Sequence, residues 1–287
     1  MVSKLGLIII LLLIVLIIIL IYVGYFVYQG TKILSKPKKY NSDKTVVLLK
    51  THVWTDNLEN YATKIKNETI AHGIDFYILM HCENDALLKK IKNQDLKPYI
   101  LTFTEADIKK IYSKGFYSMW LSNHWILMWF YKRFGDKYKY FWSMEYDVRI
   151  SGNSSKLWTY TGAEDFIYPI DYFRDPTWAW RNHYVGNKLA DDQKYYGYLQ
   201  LARYSNKFLE YLDQCFEAGE NGQDELIMFS LFKRGKFSGS KKLLNKLIKN
   251  SWSVASTDSD KHKKLLEESD SESERDKNHI RIFHPIK

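Results

Sequence analysis

The residues with the most definite chemical potential lie in Phe141-Trp142-Ser143-Met144-Glu145-Tyr146-Asp147-Val148. The apolar start reads as a strand, and the acidic-x-acidic triplet at its end runs into a Gly/Ser/Asn loop at 151–155. On extended backbone, residues two apart face the same side, so Glu145 and Asp147 are expected to project together while Tyr146 points away. Carboxylates placed that close repel one another. Their joint charge favours a hard divalent cation, Mg2+ or Mn2+, held through oxygen, and such a cation can in turn hold a diphosphate. At the carboxyl edge of a parallel sheet the triplet would stand where ligands bind. The plain alternative for a bare E-x-D is a pair of solvated acids at a strand end.

The surrounding sequence predicts the elements that would position this triplet. Thr45–Lys50 is a short apolar run with the β-branched bias of a buried strand. Asp56 reads as the N-cap of a helix to about His72, Gly73 fits its C-terminal side, and Asp75–Met80 reads as a second strand. Strand, helix and strand in this order form a βαβ unit, which implies a parallel sheet with right-handed crossovers. Tyr99–Phe103 is a third strand, and Thr104 with Asp107 has capping-box spacing. Leu121–Phe134 is an aromatic helix, Tyr140–Met144 a strand and Asp165–Ile170 another. Ser205–Ala218 and Asp224–Phe232 read as helices with Gly219 and Gly222 between them. The segment 256–278 is charged, Ser-rich and without aromatics, and is expected to be a mobile loop, whereas 280–287 turns apolar and is expected to dock back. The pattern predicts one α/β domain over 45–287, a mostly parallel sheet flanked by helices.

Composition narrows the function classes. The chain has 287 residues and a formal net charge of +9, with 9 Trp, 22 Tyr and 15 Phe implying a large packed core rather than a disordered tail. Arginine supplies 8 of the 42 basic residues and no Arg-rich stripe is present, so no nucleic-acid partner is expected. Two cysteines, Cys82 and Cys215, exclude a disulfide framework or a four-cysteine zinc site and leave one bridge or two thiols open. There is no G-x-S-x-G, H-E-x-x-H, C-x-x-C or P-loop lysine motif.

The first 30 residues are of another kind. From Leu5 to Thr31 no residue is charged, and a helix over 5–28 would be about 36 Å long, enough to cross a bilayer. Its aromatic end (Tyr22, Tyr25, Phe26, Tyr28) suits a membrane interface, and no small-x-small cleavage site follows. A single-pass anchor at 1–30 followed by a basic stem at 31–44 is therefore expected. Lys32, Lys36, Lys38 and Lys39 after the span favour a cytosolic C-terminal domain, while the sequons at Asn67 and Asn153 suit a lumenal one, so the side stays open.

The stretch Trp142–Val148 behind an N-terminal βαβ and an anchor resembles the D-x-D region of GT-A nucleotide-diphospho-sugar transferases. More narrowly, W-x-x-E-Y-D-V with a following Gly is similar to a family of eukaryotic and large-virus membrane-anchored glycosyltransferase-like proteins. The resemblance spans about 45–287 and implies a GT-A-like, Rossmann-like fold and a Golgi- or ER-type membrane. It implies a nucleotide-diphospho-sugar donor, a glycan, lipid or protein acceptor, and Mn2+ or Mg2+. Asp147, Glu145 and His284 would be the metal ligands, with Glu145 departing from the family's Asp. Asp224 or, preferably, Glu225 would be the catalytic base, and Thr51, His52 and Glu145 would contact the donor. Trp178, Trp180 and Arg181, following Asp175-Pro176 in an expected loop, are candidates for holding the acceptor, since sugar rings stack on aromatic faces. The rival readings are a non-catalytic carbohydrate-binding or structural membrane protein of the same fold, and a metal-dependent phosphoester hydrolase.

Overall fold

The computed structural model describes residues 6, 13–21, 42–173, 175–186, 189–249, 259–275 and 279–286. The chain divides into two units, Met1–Lys38 and Lys39–Lys287. In the first, residues 13–21 are helical with exposed Leu, Ile and Val side chains. The span expected over 5–28 lies largely outside the described residues, as does most of the stem. Among the described residues, no helix is long and apolar enough to cross a membrane.

The second unit is built on a seven-stranded sheet. Strands β1 (Thr45–Thr51), β2 (Asp75–His81) and β3 (Ile100–Phe103) run parallel side by side, with α1 (Asp56–Ile70) crossing between β1 and β2. After α2 (Glu105–Lys109) and α3 (His124–Phe134) the chain returns to lay β4 (Tyr140–Glu145) parallel to the other side of β1. The sheet continues through β7 (Leu201–Ser205), antiparallel to β4, then β6 (Phe166–Ile167) and β8 (Gly239–Ser240), giving the order β8-β6-β7-β4-β1-β2-β3. It is a mixed, mostly parallel α/β sheet flanked by helices. The direction in which strands are added reverses between β1 and β4, the place where a crevice opens at the carboxyl ends of parallel strands.

Strand alternation sorts the two faces. Val46 and Leu48 of β1 and Phe141 of β4 pack with α3, α4 (Asn206–Glu217) and α5 (Asp224–Arg234). Val47, Leu49, Trp142 and Met144 pack on the opposite side with α1. All four β1 residues Val46–Leu49 are fully buried, as an apolar run in a central parallel strand must be. The same parity puts Lys50 and Glu145, paired across β1 and β4, on the α3 face.

Local signals set several boundaries. The N-cap of α1 is Thr55, whose hydroxyl accepts from Leu58 N, one residue before the expected Asp56. The Thr104–Asp107 capping box forms as its spacing predicts. The aromatic helix starts at His124 rather than Leu121, and the Asp165–Ile170 strand shortens to Phe166–Ile167. Cys82 and Cys215 are both free thiols.

One expectation fails. Instead of a mobile loop, 259–275 is a helix, α6 (Ser259–Arg275). Its charged composition hides a stripe in which His262, Leu265 and Ser269 are buried at helical spacing. Leu265 packs on Phe283 and Ile286 of the C-terminal tail. That tail docks as expected, through β9 (Ile282–Phe283) paired antiparallel with β5 (Arg149–Ile150).

Candidate functional site

The β1/β4 crevice opens into a cleft of about 450 Å³. Lys50, Thr51, His52 and His81 line it from the ends of β1 and β2, Glu145, Tyr146 and Asp147 from the end of β4, and His284 and Pro285 from the tail. Met119, Trp120, Asn123 and Ile126 come from the entry to α3, and Gln200 from the start of β7.

Glu145 is the last residue of β4. The chain does not continue extended to Asp147 but turns, with Val148 N donating to Glu145 O at 3.1 Å. Arg149 stiffens this turn from behind. Its buried guanidinium donates to Tyr146 O at 2.6 Å and Val148 O at 3.3 Å and lies 4.4 Å from the Tyr61 ring centroid. The tail then closes the site. Pairing Phe283 with Arg149 brings His284 beside the turn, and Ile286 N donates to Asp147 O at 2.8 Å. His262 of α6 bonds Pro285 O at 2.9 Å through Nδ1, fixing the tail from its outer side.

The result is a convergent donor set. One ligand atom each from Glu145, Asp147 and His284 lies within 4.8 Å of the others, with Asp147 and His284 buried and Glu145 half-buried. Asp147 Oδ1 and His284 Nε2 are 3.7 Å apart. Two carboxylate oxygens and one imidazole nitrogen are donors that suit a divalent ion, and the nitrogen shifts preference from Mg2+ toward Mn2+. The residues present therefore fit the implied metal.

Glu145 is held in place by the α3 side of the cleft. Asn123 Nδ2 donates to its Oε1 at 2.5 Å, and the same oxygen lies 3.5 Å from Lys50 Nζ. Asn123 Oδ1 accepts from Lys50 Nζ at 3.0 Å, so one amide bridges a buried cation and its carboxylate. Among the described residues Lys50 is the one lysine or arginine lining a cleft that holds two acids, Glu145 and Asp147. The His52 and Tyr146 rings meet in a T-shape with centroids 4.9 Å apart, and burial together with Asp147 and Glu145 pushes the Tyr146 phenol up to about 12.

The structure brings Glu145, Asp147 and His284 together and places Thr51 and His52 in the same cleft. It does not bring Asp224 and Glu225 to the cleft lining. Both open α5 behind it, where Gln200 Nε2 donates to Glu225 Oε1 at 3.2 Å. Burial, then the charge of Glu145, pushes the Asp224 carboxyl up to about 7, and burial with Asp224 raises Glu225 as well. Trp178 stacks flat on Tyr196 at 4.0 Å, and Arg181 pairs with Asp191 at 3.0 Å, so both serve a neighbouring loop. Trp180 reaches the cleft indirectly, meeting the cleft residue Trp120 at 5.5 Å.

Sequence reasoning passed over Asn123, Trp120, Gln200, His81 and the buried state of Lys50. For Lys50 a signal existed: a lysine closing a fully apolar central strand must find a partner. The others belong to no motif: His81 and Gln200 arrive at strand ends, Trp120 and Asn123 at the entry to α3.

No family model and no curated protein sequence matches the chain. Among solved structures, it is similar to a galactosyltransferase, LgtC, in complex with donor and acceptor sugar analogs, at 15% identity over 65% of this chain and 70% of that one, with a TM-score of 0.37. It is also similar to the bifunctional glycosyltransferase WbbM, at 12% identity over 68% of this chain and 38% of that one, with a TM-score of 0.39. A third is core-mannan synthase A from Aspergillus fumigatus in its Mn/GDP form, at 11% identity over 71% and 73% of the two chains, with a TM-score of 0.35. Likeness of this order says nothing of substrate, and the chemistry is carried by the cleft's own residues.

Proposed function

We propose that the chain is a divalent-metal-dependent glycosyltransferase that moves a sugar from a nucleoside diphosphate to an acceptor hydroxyl. The observation that carries this reading is the Glu145–Asp147–His284 set at the carboxyl edge of parallel strands, inside a cleft large enough for a nucleotide. The resemblance of Trp142–Val148 to the GT-A motif supports the choice of sugar over other diphosphate-linked groups. Residues 5–28 would anchor the chain to a Golgi- or ER-type membrane.

Bound at this set, a divalent cation supplies charge stabilisation to the departing diphosphate. The chain's own residues do the rest. Asp147 and His284 present their ligand atoms from a turn and a tail that are each locked by backbone bonds. Asn123 and Lys50 orient Glu145, and Lys50 partly offsets the charge of that carboxylate. Thr51 and His52 line the donor side at the end of β1, and Gln200, backed by Glu225, presents an amide to the sugar. In the transfer the acceptor hydroxyl oxygen would bond to the anomeric carbon while the carbon–oxygen bond to the diphosphate breaks, the leaving diphosphate keeping that electron pair and taking up the proton the hydroxyl loses.

The test is nucleotide-sugar hydrolysis by the full-length chain in detergent, with Mn2+ and with EDTA. Turnover is expected with Mn2+ and is expected to vanish with EDTA or in Asp147→Ala. Turnover undiminished by EDTA would refute the metal-dependent mechanism, and a fully active Asp147→Ala would refute the site.

A further inference from the structure

We propose that Trp120 is the platform on which the acceptor stacks, and that what stacks there is a carbohydrate ring. This rests on the glycosyltransferase reading. Trp120 lines the metal-site cleft and yet is 62% exposed. Among the described residues Trp54, Trp125, Trp129, Trp142 and Trp158 are buried and Trp178 and Trp180 half-buried, so an indole left this open at the rim of a polar cleft stands apart.

The side chain is held rather than loose. Trp180 meets it edge-on, with centroids 5.5 Å apart and planes at 80°. The backbone around it is pinned at four points. Leu121 N donates to Ser118 Oγ at 3.1 Å and Ser122 N to Ser118 O at 2.9 Å. Tyr117 N donates to Ser122 Oγ at 3.0 Å, and Leu121 O accepts from Asp224 N at 2.9 Å. A platform already fixed loses little freedom when a ligand lands on it. Three residues on, Asn123 holds Glu145, so the indole and the metal-binding set belong to one continuous wall.

The chemistry of that wall selects the ligand. A pyranose offers a face of C–H groups and a rim of hydroxyls, which asks for an aromatic face with polar groups beside it. Asn123, Gln200 and His81 supply those groups in the same cleft. A lipid chain would gain nothing from them. The ring is the acceptor's because the donor diphosphate belongs with the buried Asp147 and His284, whereas Trp120 is on the solvent side.

The experiment uses the full-length chain in detergent and a panel of methyl α- and β-glycosides of glucose, galactose and mannose, read by saturation-transfer NMR. UDP and GDP binding with Mn2+ is measured in parallel by calorimetry. In the native chain at least one glycoside should show saturation of its ring C–H protons. Trp120→Ala should weaken that glycoside roughly three- to tenfold and Trp120→Phe should restore most of the loss, the scale of an aromatic stack. Nucleotide affinity should change less than twofold in either variant. If the native chain binds nucleotide with Mn2+ but no glycoside, the platform is wrong and the function stands. If Trp120→Ala weakens nucleotide as much as glycoside, the indole stacks a base and the proposal falls. Absence of metal-dependent nucleotide binding in the native chain would instead overturn the functional reading.

Discussion

Replacing Asn123 by alanine probes how far the metal site depends on a residue that never touches the metal. The amide donates to Glu145 Oε1 at 2.5 Å and accepts from Lys50 Nζ at 3.0 Å. Its removal deletes two hydrogen bonds to charged groups, of which the one that orients Glu145 is worth about 1.5–3 kcal/mol in a buried setting. It also releases Lys50, 3.5 Å from the same oxygen, to close on Glu145 and compete for it. Both effects act in one direction. Loss of a partner that orients a metal ligand typically costs about 10- to 100-fold in affinity. At about 1.4 kcal/mol per decade this is about 1.4–2.8 kcal/mol, in step with the hydrogen-bond figure. The assay is titration of Mn2+ into the full-length protein with free ion followed by electron paramagnetic resonance. Asn123→Ala should bind Mn2+ at least tenfold more weakly. In a Glu145→Gln background the same substitution should cost much less, because the carboxylate it orients is gone. A Kd within threefold of the native value, or an undiminished loss in the double variant, would refute the reasoning.

Other expectations can be checked on the same material. Saturating Mn2+ at 100 times its Kd should add about 2.7 kcal/mol of unfolding stability, and Asp147→Asn or His284→Ala should abolish that increment in a thermal melt. Burial holds the His124 imidazole at about 3 against an ordinary 6.5. The unfolded chain therefore takes up a proton that the folded one refuses. The stability contributed by His124 is whole above pH 6.5 and is lost at about 1.4 kcal/mol per pH unit as the pH falls toward 3. Urea unfolding at pH 7 and pH 5 should show a shallower loss in His124→Gln, and equal losses would sink the account. Leu265→Asp puts a charge between α6 and the tail residues Phe283 and Ile286. It should cost about 2–4 kcal/mol locally, speed amide exchange in 280–286 and weaken Mn2+ binding through His284.

Elements governed by one dominant physical signal are legible in the sequence. Thr45–Lys50 is apolar enough that only a central strand can bury it, and the βαβ that follows needs no tertiary information beyond handedness. The E-Y-D triplet was legible because two acids closing an apolar strand are unusual, although the reason for their proximity was not. Extended alternation would have aligned Glu145 and Asp147, whereas a turn pinned by Arg149 does so. Asn123 and Gln200 were illegible because an amide is common everywhere. Asn123 reaches Glu145 from the entry to α3, and the register of β4 with β7 brings Gln200 alongside, where Glu145 N donates to Gln200 O at 2.8 Å. Helix α6 is hidden in the sequence because its buried stripe is sparse against a background of charge, and its partner is the distant tail. Asp224 and Glu225 do open a helix as read, but the wall of the cleft stands in front of them.

The strand pair of 149–150 with 282–283 has a bearing on the order of events during synthesis. A nascent polypeptide can assemble the central strands from residues already outside the ribosome while the imidazole that completes the ion-binding trio has not yet emerged. Competence for the proposed ion capture would therefore arrive only once residue 286, whose amide ties the tail to Asp147, has left the ribosome and docked. A chain cut before residue 282 would keep all seven strands of the main sheet and lack only the third candidate ligand, so truncation there would separate the scaffold from the ion site it carries.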